Sequence, residues 1–563
     1  MVKKLLNKNF LIFGLLIIPA IWALFVPGYY GASDDLHIAW LFEFHKTLMA
    51  GQIPPRFVPD LSFGFGYPLF NFVFPLPFYI AELFHLLGLN LVDSIKAVFL
   101  ISVPLSGLFM YLLLREFTSK TVSLFGAVLY IYTPYRAVDL YIRGAIGEIL
   151  SFVFLPLLTL SVLKLTKDET EEKRWIGIGG LSIAGLILTH NITAYMFSFF
   201  LIILFLLRTI FVRTIFVKNW GRGVLKMLLA GILGLLISCY FWLPAITESG
   251  LVKYDTVFNF VDHFPTLKQL ITPYWGYGAS VAGPYDGMSF FLGIANLAVL
   301  LIGSFLTILS WPKFSKDKKV ILVWALISIL VSMFLMNYRS TILWENIPLL
   351  PYFQFPWRFL IITTFTIPIL VVAMEEILNR KWLSVLLIIL TLATTYNYFH
   401  PQDFLGREDG YYLNKYIPTP FASSEYLKTQ EEYLRLPKET EVRPDKNYPL
   451  VTAEEGEIKN VLKINDLNSK IEVDSENGFK LSYSKYLFPG WVAKIDGNNT
   501  SIYAGKPFGQ IELNVPAGAH SLEIKFEETG FKKLLDAISL AGFLVSLSLV
   551  NIWKYSKKVG PFS

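Results

Sequence analysis

The sequence predicts a polytopic α-helical membrane protein with a β-sandwich domain outside the membrane, placed before the last span. Of its 563 residues, 54% are hydrophobic and only 16% are charged, whereas about 25% of a typical soluble domain is charged. The mean hydropathy is +0.51. Long apolar segments fill most of the chain, and the density of charged residues rises only over residues 400–532.

The apolar segments predict about twelve spans, since a span needs about 20 apolar residues. They are 10–28, 92–114, 121–136, 147–163, 175–190, 192–212, 226–246, 288–310, 320–337, 357–375, 382–399 and 533–553. The first segment follows a basic start, as a signal peptide does, but no small-residue cleavage site comes after it. We therefore expect a retained first span.

Basic residues predict the orientation, because cytoplasmic loops carry an excess of Lys and Arg. Segment 74–89 contains Pro75, Pro77, Glu82 and His85, and decides the side of every later loop. If this segment stays at the outer face, every inside loop is basic. The inside residues are then Lys3, Lys4, Lys8, Arg115, Lys120, Lys164, Lys167, Lys173, Arg174, Arg208, Arg213, Lys218, Arg222, Lys226, Lys313, Lys316, Lys318, Lys319, Arg380, Lys381, Lys554, Lys557 and Lys558. The sequence thus predicts a multi-pass plasma-membrane protein with both termini in the cytoplasm.

This arrangement divides the chain into three parts: a membrane domain over 1–399 with a long first outer loop at 29–91, an outer β-rich domain over 400–532, and a last span with a basic tail over 533–563. Within the second part, alternating stretches such as "KIEVDSE" and "FKLSYSKYL" predict strands. Asp496-Gly497 and Pro516-Ala517-Gly518 predict the turns of antiparallel hairpins.

Composition and motifs exclude several classes of function. The net charge of +6 is dispersed in short clusters between apolar segments, so it does not indicate nucleic-acid binding. Cys239 is the single cysteine, which rules out a disulfide within the chain and a cysteine-based metal site. The sequence contains no P-loop, no dinucleotide fingerprint between a strand and a helix, and no HExxH, which argues against a nucleotide-driven pump.

The stretch "GYYGASDDLHIAW" places two carboxylates, Asp34 and Asp35, directly after the first span. One interpretation is a helix start over about 34–50, with Ser33 as N-cap and acidic residues favouring the helix dipole. The other is catalytic, because charged groups beside a membrane are costly and mark functional sites.

Further polar residues cluster on the same predicted outer side. The candidates for substrate binding are His37, Arg56, Tyr67, Arg136, Asp139, Arg143, Glu148, His190 and Arg358. Taken singly, Arg136, Arg143 and Arg358 can be interface anchors whose charged ends reach water, and His190 can simply end a span. Their shared side of the membrane favours a common site.

Carboxylates and cations at an outer aqueous interface suit transfer of a sugar from a lipid phosphate. A carboxylate can remove the proton of an acceptor hydroxyl as general base. Arginines such as Arg143 can hold the departing phosphate and offset its charge.

Four membrane-domain stretches carry a family resemblance: "DDLHIAWLFEFHKTLMAGQIPPRFVPDLSFGFGYPLFNFVFPLPFY", "YTPYRAVDLYIRGAIGE", "PYWGYGASVAGPYDGMSFFLG" and "PLLPYFQFPWRFL". They resemble the bacterial membrane family labelled "6-pyruvoyl-tetrahydropterin synthase-related", near the YfhO-like proteins. "YLFPGWVAKIDGNNTSIYAGKPFGQIELNVPAGAHSLEIKFE" is similar to the outer β-domain of that group. The acidic pair after the first span also resembles the GT-C superfamily of polyprenyl-phosphate-sugar glycosyltransferases.

The GT-C resemblance implies a lipid-linked sugar as donor and a cell-surface glycan, lipid or protein as acceptor. The first acidic motif of that superfamily maps onto Asp34 and Asp35, and the second onto Asp139 or Glu148. Metal dependence stays open: a divalent cation would bind at Asp34 and Asp35. The family label does not imply pterin chemistry, because the soluble pterin synthase uses a three-histidine zinc site. The seven histidines here show no paired metal spacing.

An alternative from another class is a non-enzymatic protein that transports or tethers lipid-linked glycans. A transporter places charges and broken helices at mid-membrane. The charges of this chain lie at span ends, which favours the enzyme. The sequence specifies neither the sugar nor the acceptor.

Overall fold

A computed structural model describes residues 8–167, 171–211, 213–253, 259–417 and 436–556. The terminal lysines that contribute to the predicted orientation, Lys3, Lys4, Lys557 and Lys558, lie outside these residues. The helices of the described chain are α1 (Lys8–Ile21), α2 (His37–Met49), α3 (Leu69–Phe72), α4 (Leu76–Leu86), α5 (Leu91–Leu114), α6 (Lys120–Ile131), α7 (Pro134–Ala137), α8 (Ile146–Leu165), α9 (Glu172–Thr189), α10 (Asn191–Phe211), α11 (Arg213–Thr247), α12 (Leu267–Ile271), α13 (Ile294–Leu309), α14 (Lys316–Leu335), α15 (Thr341–Asn346), α16 (Leu360–Thr366), α17 (Glu375–Leu378), α18 (Lys381–Thr395), α19 (Asp409–Tyr416) and α20 (Gly530–Ser556).

Six helical segments in the described ranges are long and apolar enough to cross a membrane: Leu91–Leu114, Ile146–Leu165, Asn191–Arg208, Gly221–Leu251, Lys316–Leu335 and Gly530–Asn551. Four other predicted spans, 10–28, 121–136, 288–310 and 357–375, correspond to shorter apolar helices. One of these, in Pro356–Val372, is divided into 3₁₀ turns on either side of α16. The Pro368 ring accounts for the second 3₁₀ turn, since proline cannot donate a helical hydrogen bond.

The first outer loop begins differently from the predicted helix start. Helix α2 starts at His37, and its N-cap position is Leu36, with no side-chain cap. The interpretation of Ser33 as N-cap is wrong, because its hydroxyl instead donates to the carbonyl of Arg143. Both aspartates therefore precede the helix and are available for other contacts.

Segment 74–89 contains α4, a helix of 11 residues. At 1.5 Å per residue it is about 16 Å long, well short of the roughly 30 Å hydrocarbon core. The exposed Leu83, Leu86 and Leu87 lie at its end, and α4 packs mainly on α5 and α2.

Ion pairs join several of the loops that the sequence predicts to be cytoplasmic. Glu116 is 3.0 Å from Lys164, and Lys167 is 3.4 Å from Glu116 and 3.7 Å from Asp317. Arg208 also donates to Asp317. The C-terminal ends of α5, α8 and α10 and the residues that follow α5 and α8 thus meet the start of α14 at one end of the helical region.

In the part of the chain that the structure describes, nine strands form two antiparallel sheets near the C-terminal end: β1 (Val451–Ala453), β2 (Glu457–Asn465), β3 (Asn468–Ser475), β4 (Phe479–Tyr486), β5 (Trp491–Ile495), β6 (Asn498–Thr500), β7 (Tyr503–Ala504), β8 (Gln510–Val515) and β9 (Gly518–Phe526). The sheet orders are β1-β4-β8-β7 and β2-β3-β9-β5-β6. Alternate side chains of both sheets, such as Ile471, Leu481 and Leu522, share one apolar core. The predicted β-rich region before the last helix is confirmed.

The predicted turn at Asp496-Gly497 forms a two-residue hairpin between β5 and β6. Ile495 pairs with Asn498, and both turn residues have positive φ, 49° and 83°. These angles suit the twist of a hairpin and favour Asp-Gly. Strand β2 was not predicted, because most of its side chains are exposed and their burial does not alternate.

Charged contacts join the first outer loop to α20. Arg56 Nε is 3.0 Å from Glu528 and its Nη2 is 2.8 Å from Asp536, and Nη1 donates to the carbonyl of Tyr240. Lys532 is 3.0 Å from Glu248 at the end of α11. We call this set of residues the Arg56 junction. It fixes the first loop, α11 and α20 relative to one another.

Candidate active site

A cavity of 1230 Å³ opens where the predicted outer loops meet. Its wall comes from the first loop around Asp34, the loop before α8, the junction of α9 and α10 at His190, and residues 348–358. The loop over 263–288 and residues 402–403 complete the wall. Segments that are distant in sequence thus converge on one space.

The structure separates the two aspartates of "GYYGASDDLHIAW". Asp35 is 3% exposed and points to α19, where Lys415 Nζ lies 3.0 Å from its carboxylate and the Tyr416 hydroxyl donates to it. Asp34 lines the cavity. Within the described part of the chain, the Asp34 carboxylate has no hydrogen bond or ion pair. The carboxylate that remains open to a ligand is therefore Asp34.

Backbone hydrogen bonds fix Asp34 against the second loop, residues 137–146, which precedes α8. The Asp34 N–H donates to the Arg143 carbonyl at 2.7 Å, and the Ser33 N–H donates to the Ile142 carbonyl at 3.0 Å. Gly144 ends this segment with φ of +68°, and an added Cβ would lie 3.0 Å from Ala32. The close approach of the two loops therefore depends on a residue without a side chain.

Arg143 ends a π-helical turn, Val138–Arg143, a rare geometry that is frequent at functional sites. Its Nη1 donates to both Asp139 and Glu148, at 2.9 Å for the second. Tyr135 also donates to Glu148. Burial and the charge of Glu148 raise the pKa of Asp139. The Arg143 charge is thus compensated within the protein.

Arg358 lines the same cavity with different partners. Its Nη1 donates to the Phe353 carbonyl at 3.0 Å and to the Gln354 side chain. Its guanidinium lies 5.0 Å from the centre of the Phe355 ring. It is 8% exposed and its Nε has no hydrogen-bond partner. Among the described residues no carboxylate forms an ion pair with it, and Glu148 and Asp34 act on its charge only from a greater distance.

Two predicted histidines also reach the cavity. His190 is the C-terminal cap of α9, and its Nδ1 lies 2.6 Å from the Thr193 hydroxyl. His37 packs edge-on against Trp40, with ring centres 5.5 Å apart. Glu148 completes the set of predicted binding residues in the wall.

The remaining predicted binding residues lie outside the cavity wall. Arg56 forms its junction with α20, and Tyr67 is buried in the first loop, where it pairs with Val58. Arg136 is buried between the rings of Tyr130 and Phe152, at 5.1 and 4.5 Å. Asp139 supports Arg143 from behind the wall.

Sequence reasoning did not select several aromatic residues of the wall, among them Trp40, Tyr195 and Tyr277. Aromatic residues are common throughout the outer ends of membrane proteins. Their abundance in this chain hides the few that line the cavity.

The donor set does not fit a divalent cation held by Asp34 and Asp35. Such an ion needs several oxygen ligands that converge on one point, but the Asp35 carboxylate faces Lys415 and Tyr416. The described residues contain no group of three or more His, Cys, Asp or Glu side chains that could hold a metal. We derive no step through a metal ion.

A family model described as "6-pyruvoyl-tetrahydropterin synthase related domain; membrane protein" matches residues 70–401. This match covers more than half of the chain and confirms the family resemblance seen in the sequence. Comparison with curated proteins returned no match.

Three solved structures illustrate the folds to which the chain is similar. Arabinofuranosyltransferase AftD from Mycobacteria has a TM-score of 0.47 and 14% identity over 72% of this chain and 28% of its own. ArnT from Cupriavidus metallidurans, bound to undecaprenyl phosphate, has a TM-score of 0.39 and 11% identity over 68% of this chain and 63% of its own. The apo oligosaccharyltransferase of Archaeoglobus fulgidus has a TM-score of 0.39 and 12% identity over 78% of this chain and 61% of its own. The chain therefore spans less than a third of AftD and less than two thirds of the other two.

Proposed function

The chain belongs to the membrane-protein family related to 6-pyruvoyl-tetrahydropterin synthase. From its cavity we propose that it is a glycosyltransferase that acts at the outer face of the plasma membrane. Its donor is a polyprenyl-phosphate sugar and its acceptor a hydroxyl of a cell-surface glycan, lipid or protein. The observation that carries the proposal is the presence in one cavity of an open carboxylate, Asp34, and a buried cation, Arg358, to which no carboxylate of the described residues is bonded.

In this proposal Asp34 is the general base. Its carboxylate takes the proton of the acceptor hydroxyl while the hydroxyl oxygen attacks the anomeric carbon of the donor. The bond from that carbon to the phosphate oxygen breaks, and polyprenyl phosphate leaves with the bonding electrons. Attack opposite the leaving group inverts the configuration at the anomeric carbon.

We assign the phosphate to Arg358. An anion beside Arg358 gains a charge-assisted hydrogen bond from the guanidinium. It does not have to displace a carboxylate that is already bonded to that group. The same anion beside Arg143 competes with Asp139 and Glu148, which already accept from that guanidinium. Arg143 therefore serves to hold the second loop, and through its carbonyl it positions Asp34.

The surface of α10 provides a path for the polyprenyl tail. Ile192 and Tyr195 line the cavity, and the exposed Phe199, Ile202 and Leu206 continue at helical spacing along the same face. This apolar stripe runs from the cavity along a candidate span. A lipid chain lying on it keeps its phosphate at the level of the cavity.

This function rests on the topology of about twelve spans with both termini in the cytoplasm and the β-sheets outside. Two observations support it. The predicted outer loops supply the cavity wall, and several predicted inner loops exchange ion pairs at another end of the helical region. The short α4 fits a segment that stays at the outer face.

The test is the lipid-linked sugar content of a deletion strain. We expect one polyprenyl-phosphate sugar to accumulate, and the wild-type gene to restore its normal level. An Asp34→Asn gene should fail to restore it at equal protein abundance, whereas a matched Asp445→Asn gene, changed at an exposed position outside the cavity, should succeed. Restoration by Asp34→Asn would refute the catalytic assignment and leave a transporter or tether of lipid-linked glycans.

A further inference from the structure

The loop between α11 and α13 contributes a second polar group to the cavity, on a wall that does not include Asp34. His263 and Ser280 both line the cavity. His263 Nδ1 lies 2.9 Å from the Ser280 hydroxyl, and the Ser280 hydroxyl donates to Asp286 at 2.8 Å. The three side chains form one hydrogen-bonded chain that ends at the cavity.

Asp286 is held in place from several directions. Its Oδ1 also accepts from the Val281 N–H at 3.0 Å, and its Oδ2 accepts from the Gln269 amide at 2.8 Å. Gln269 is 8% exposed, and its oxygen accepts from the backbone N–H of Thr266 in a capping box. The carboxylate therefore occupies a fixed position with both oxygens in use as acceptors.

This order of donors determines the tautomer of His263. Because the Ser280 proton points to Asp286, the Ser280 oxygen is left to accept from Nδ1–H of the imidazole. The proton of a neutral His263 then lies on Nδ1, and Nε2 carries the lone pair. Partial burial lowers the pKa of His263, which favours the neutral ring.

No hydrogen bond joins His263 Nε2 to any residue within the described ranges. The ring of Phe355 packs edge-on against the imidazole, with centres 4.8 Å apart. Phe355 also contacts the guanidinium of Arg358. The open nitrogen thus belongs to the same side of the cavity as the proposed phosphate site.

We infer that His263 Nε2 is a hydrogen-bond acceptor for a sugar hydroxyl, and that Ser280, Asp286 and Gln269 are positioning residues that keep it in this tautomer. The inference rests on the proposed function for the identity of the ligand as a carbohydrate. It adds a subsite that recognises hydroxyl groups beside Arg358.

The test is carbethoxylation of His263 by diethyl pyrocarbonate in membranes, measured by peptide mass spectrometry. This reagent attacks an unprotonated imidazole nitrogen. We expect Ser280→Ala and Asp286→Asn to slow the reaction at His263 about fivefold, the equivalent of one neutral hydrogen bond. Ser280→Thr, which keeps the hydroxyl, should react like the wild type. Glu345→Gln is the control for a change of charge, since Glu345 is exposed and lies outside the chain of hydrogen bonds.

A second arm adds n-octyl glycosides of several hexoses and pentoses, with n-octyl sulfobetaine as a probe without hydroxyl groups. At least one glycoside should protect His263 about fivefold, and the sulfobetaine should not. Equal reaction rates in Ser280→Ala and the wild type, or no protection by any glycoside, would overturn the inference. The measurement needs no glycosyl transfer. If a glycoside protects His263 and the Asp34→Asn gene also restores the deletion strain, the proposed function is refuted but the sugar subsite is not.

Discussion

The cavity and the Arg56 junction contain similar charged residues in opposite states of pairing. At the junction, Arg56 is 2% exposed and makes ion pairs with Glu528 and Asp536 through separate nitrogens. In the cavity, Asp34 and Arg358 face one space without carboxylate or cationic partners among the described residues. Both regions bring together segments that are far apart in the sequence.

The difference separates architecture from function. A buried charge without a partner lowers stability, and a fold retains it where a ligand supplies the missing interaction. The Arg56 junction supplies its own partners and holds the first loop in place. The cavity leaves a carboxylate, Asp34, and a guanidinium, Arg358, without ion-pair partners among the described residues, as a site for charged or polar substrates requires.

The largest effect is expected at the aspartate pair, because Asp34 is open to a ligand and Asp35 is paired within the protein. Asp34→Asn should express and fold normally yet lose about 10²–10⁴ in turnover, because an amide cannot accept the proton. Asp35→Asn should keep its turnover per folded molecule and lose about 1–3 kcal/mol of stability, since it weakens the bonds to Lys415 and Tyr416. Transfer rates and thermal melts of both variants measure the two effects. The reverse pattern would exchange the roles of the two residues.

The next largest effect is expected at Arg358, in the binding of the lipid phosphate. Arg358→Gln should weaken binding of undecaprenyl phosphate about 10–100-fold, the value of a hydrogen bond to a charged group. Arg358→Lys should recover only part of it, because lysine has no planar fork. Binding to purified protein in nanodiscs is the measurement, and Arg339→Gln, at an exposed outer position, is the control. Unchanged affinity in Arg358→Gln would move the phosphate to another group.

The Arg56 junction should respond in stability alone. Arg56→Gln leaves Glu528 and Asp536 without their cation and should cost about 3–5 kcal/mol, the typical effect of breaking a buried pair. Turnover per folded molecule should stay near the wild-type value. A melt monitored in detergent, together with transfer rates normalised to folded protein, checks both. A large loss of turnover in the folded fraction would place Arg56 in the active site.

The sheets should fold by themselves, but less stably than in the full chain. Residues 436–529 contain both sheets and most of their shared core, so the isolated segment should give a β-rich circular dichroism spectrum and a cooperative melt. Phe57 from the first loop packs against Trp491 at 5.5 Å between ring centres and against Phe526 at 5.2 Å. Loss of these contacts should cost about 1–3 kcal/mol. A non-cooperative melt would show that the first loop is needed for folding.

Single cysteines should alter function least and report topology. In a Cys239→Ser background, a cysteine at Asn498 should react with an impermeant thiol reagent in intact cells, and cysteines at Ser119 and Ser315 should not. Substitution at the exposed Asn498 should change stability by about 0.5 kcal/mol or less, and loss of the Ser315 cap on the Lys318 N–H should cost about 1 kcal/mol. Labelling at Ser119 without labelling at Asn498 would contradict the twelve-span topology.

The sequence predicted the broad fold because its signals are local. Apolar length marks helices, alternation marks strands β3 to β5, and Asp-Gly marks a hairpin. The division of labour within the site depends on distant contacts. Nothing near Asp35 in the sequence reveals Lys415 or Tyr416, and nothing near Arg143 distinguishes its two carboxylates from the neutral partners of Arg358. His263 and Asp286 are also far enough apart in sequence that their connection through Ser280 has no local sign.

The Arg56 junction also sets an order for assembly during synthesis. Arg56 is separated from Glu528 by 472 residues and from Asp536 by 480. The first loop therefore leaves the ribosome long before Glu528 and Asp536 are synthesised. Arg56 has neither carboxylate as an ion-pair partner until the last helix is inserted. A chain that stops before α20 cannot complete this loop, so premature termination should yield a product that quality-control proteases recognise at its N-terminal end.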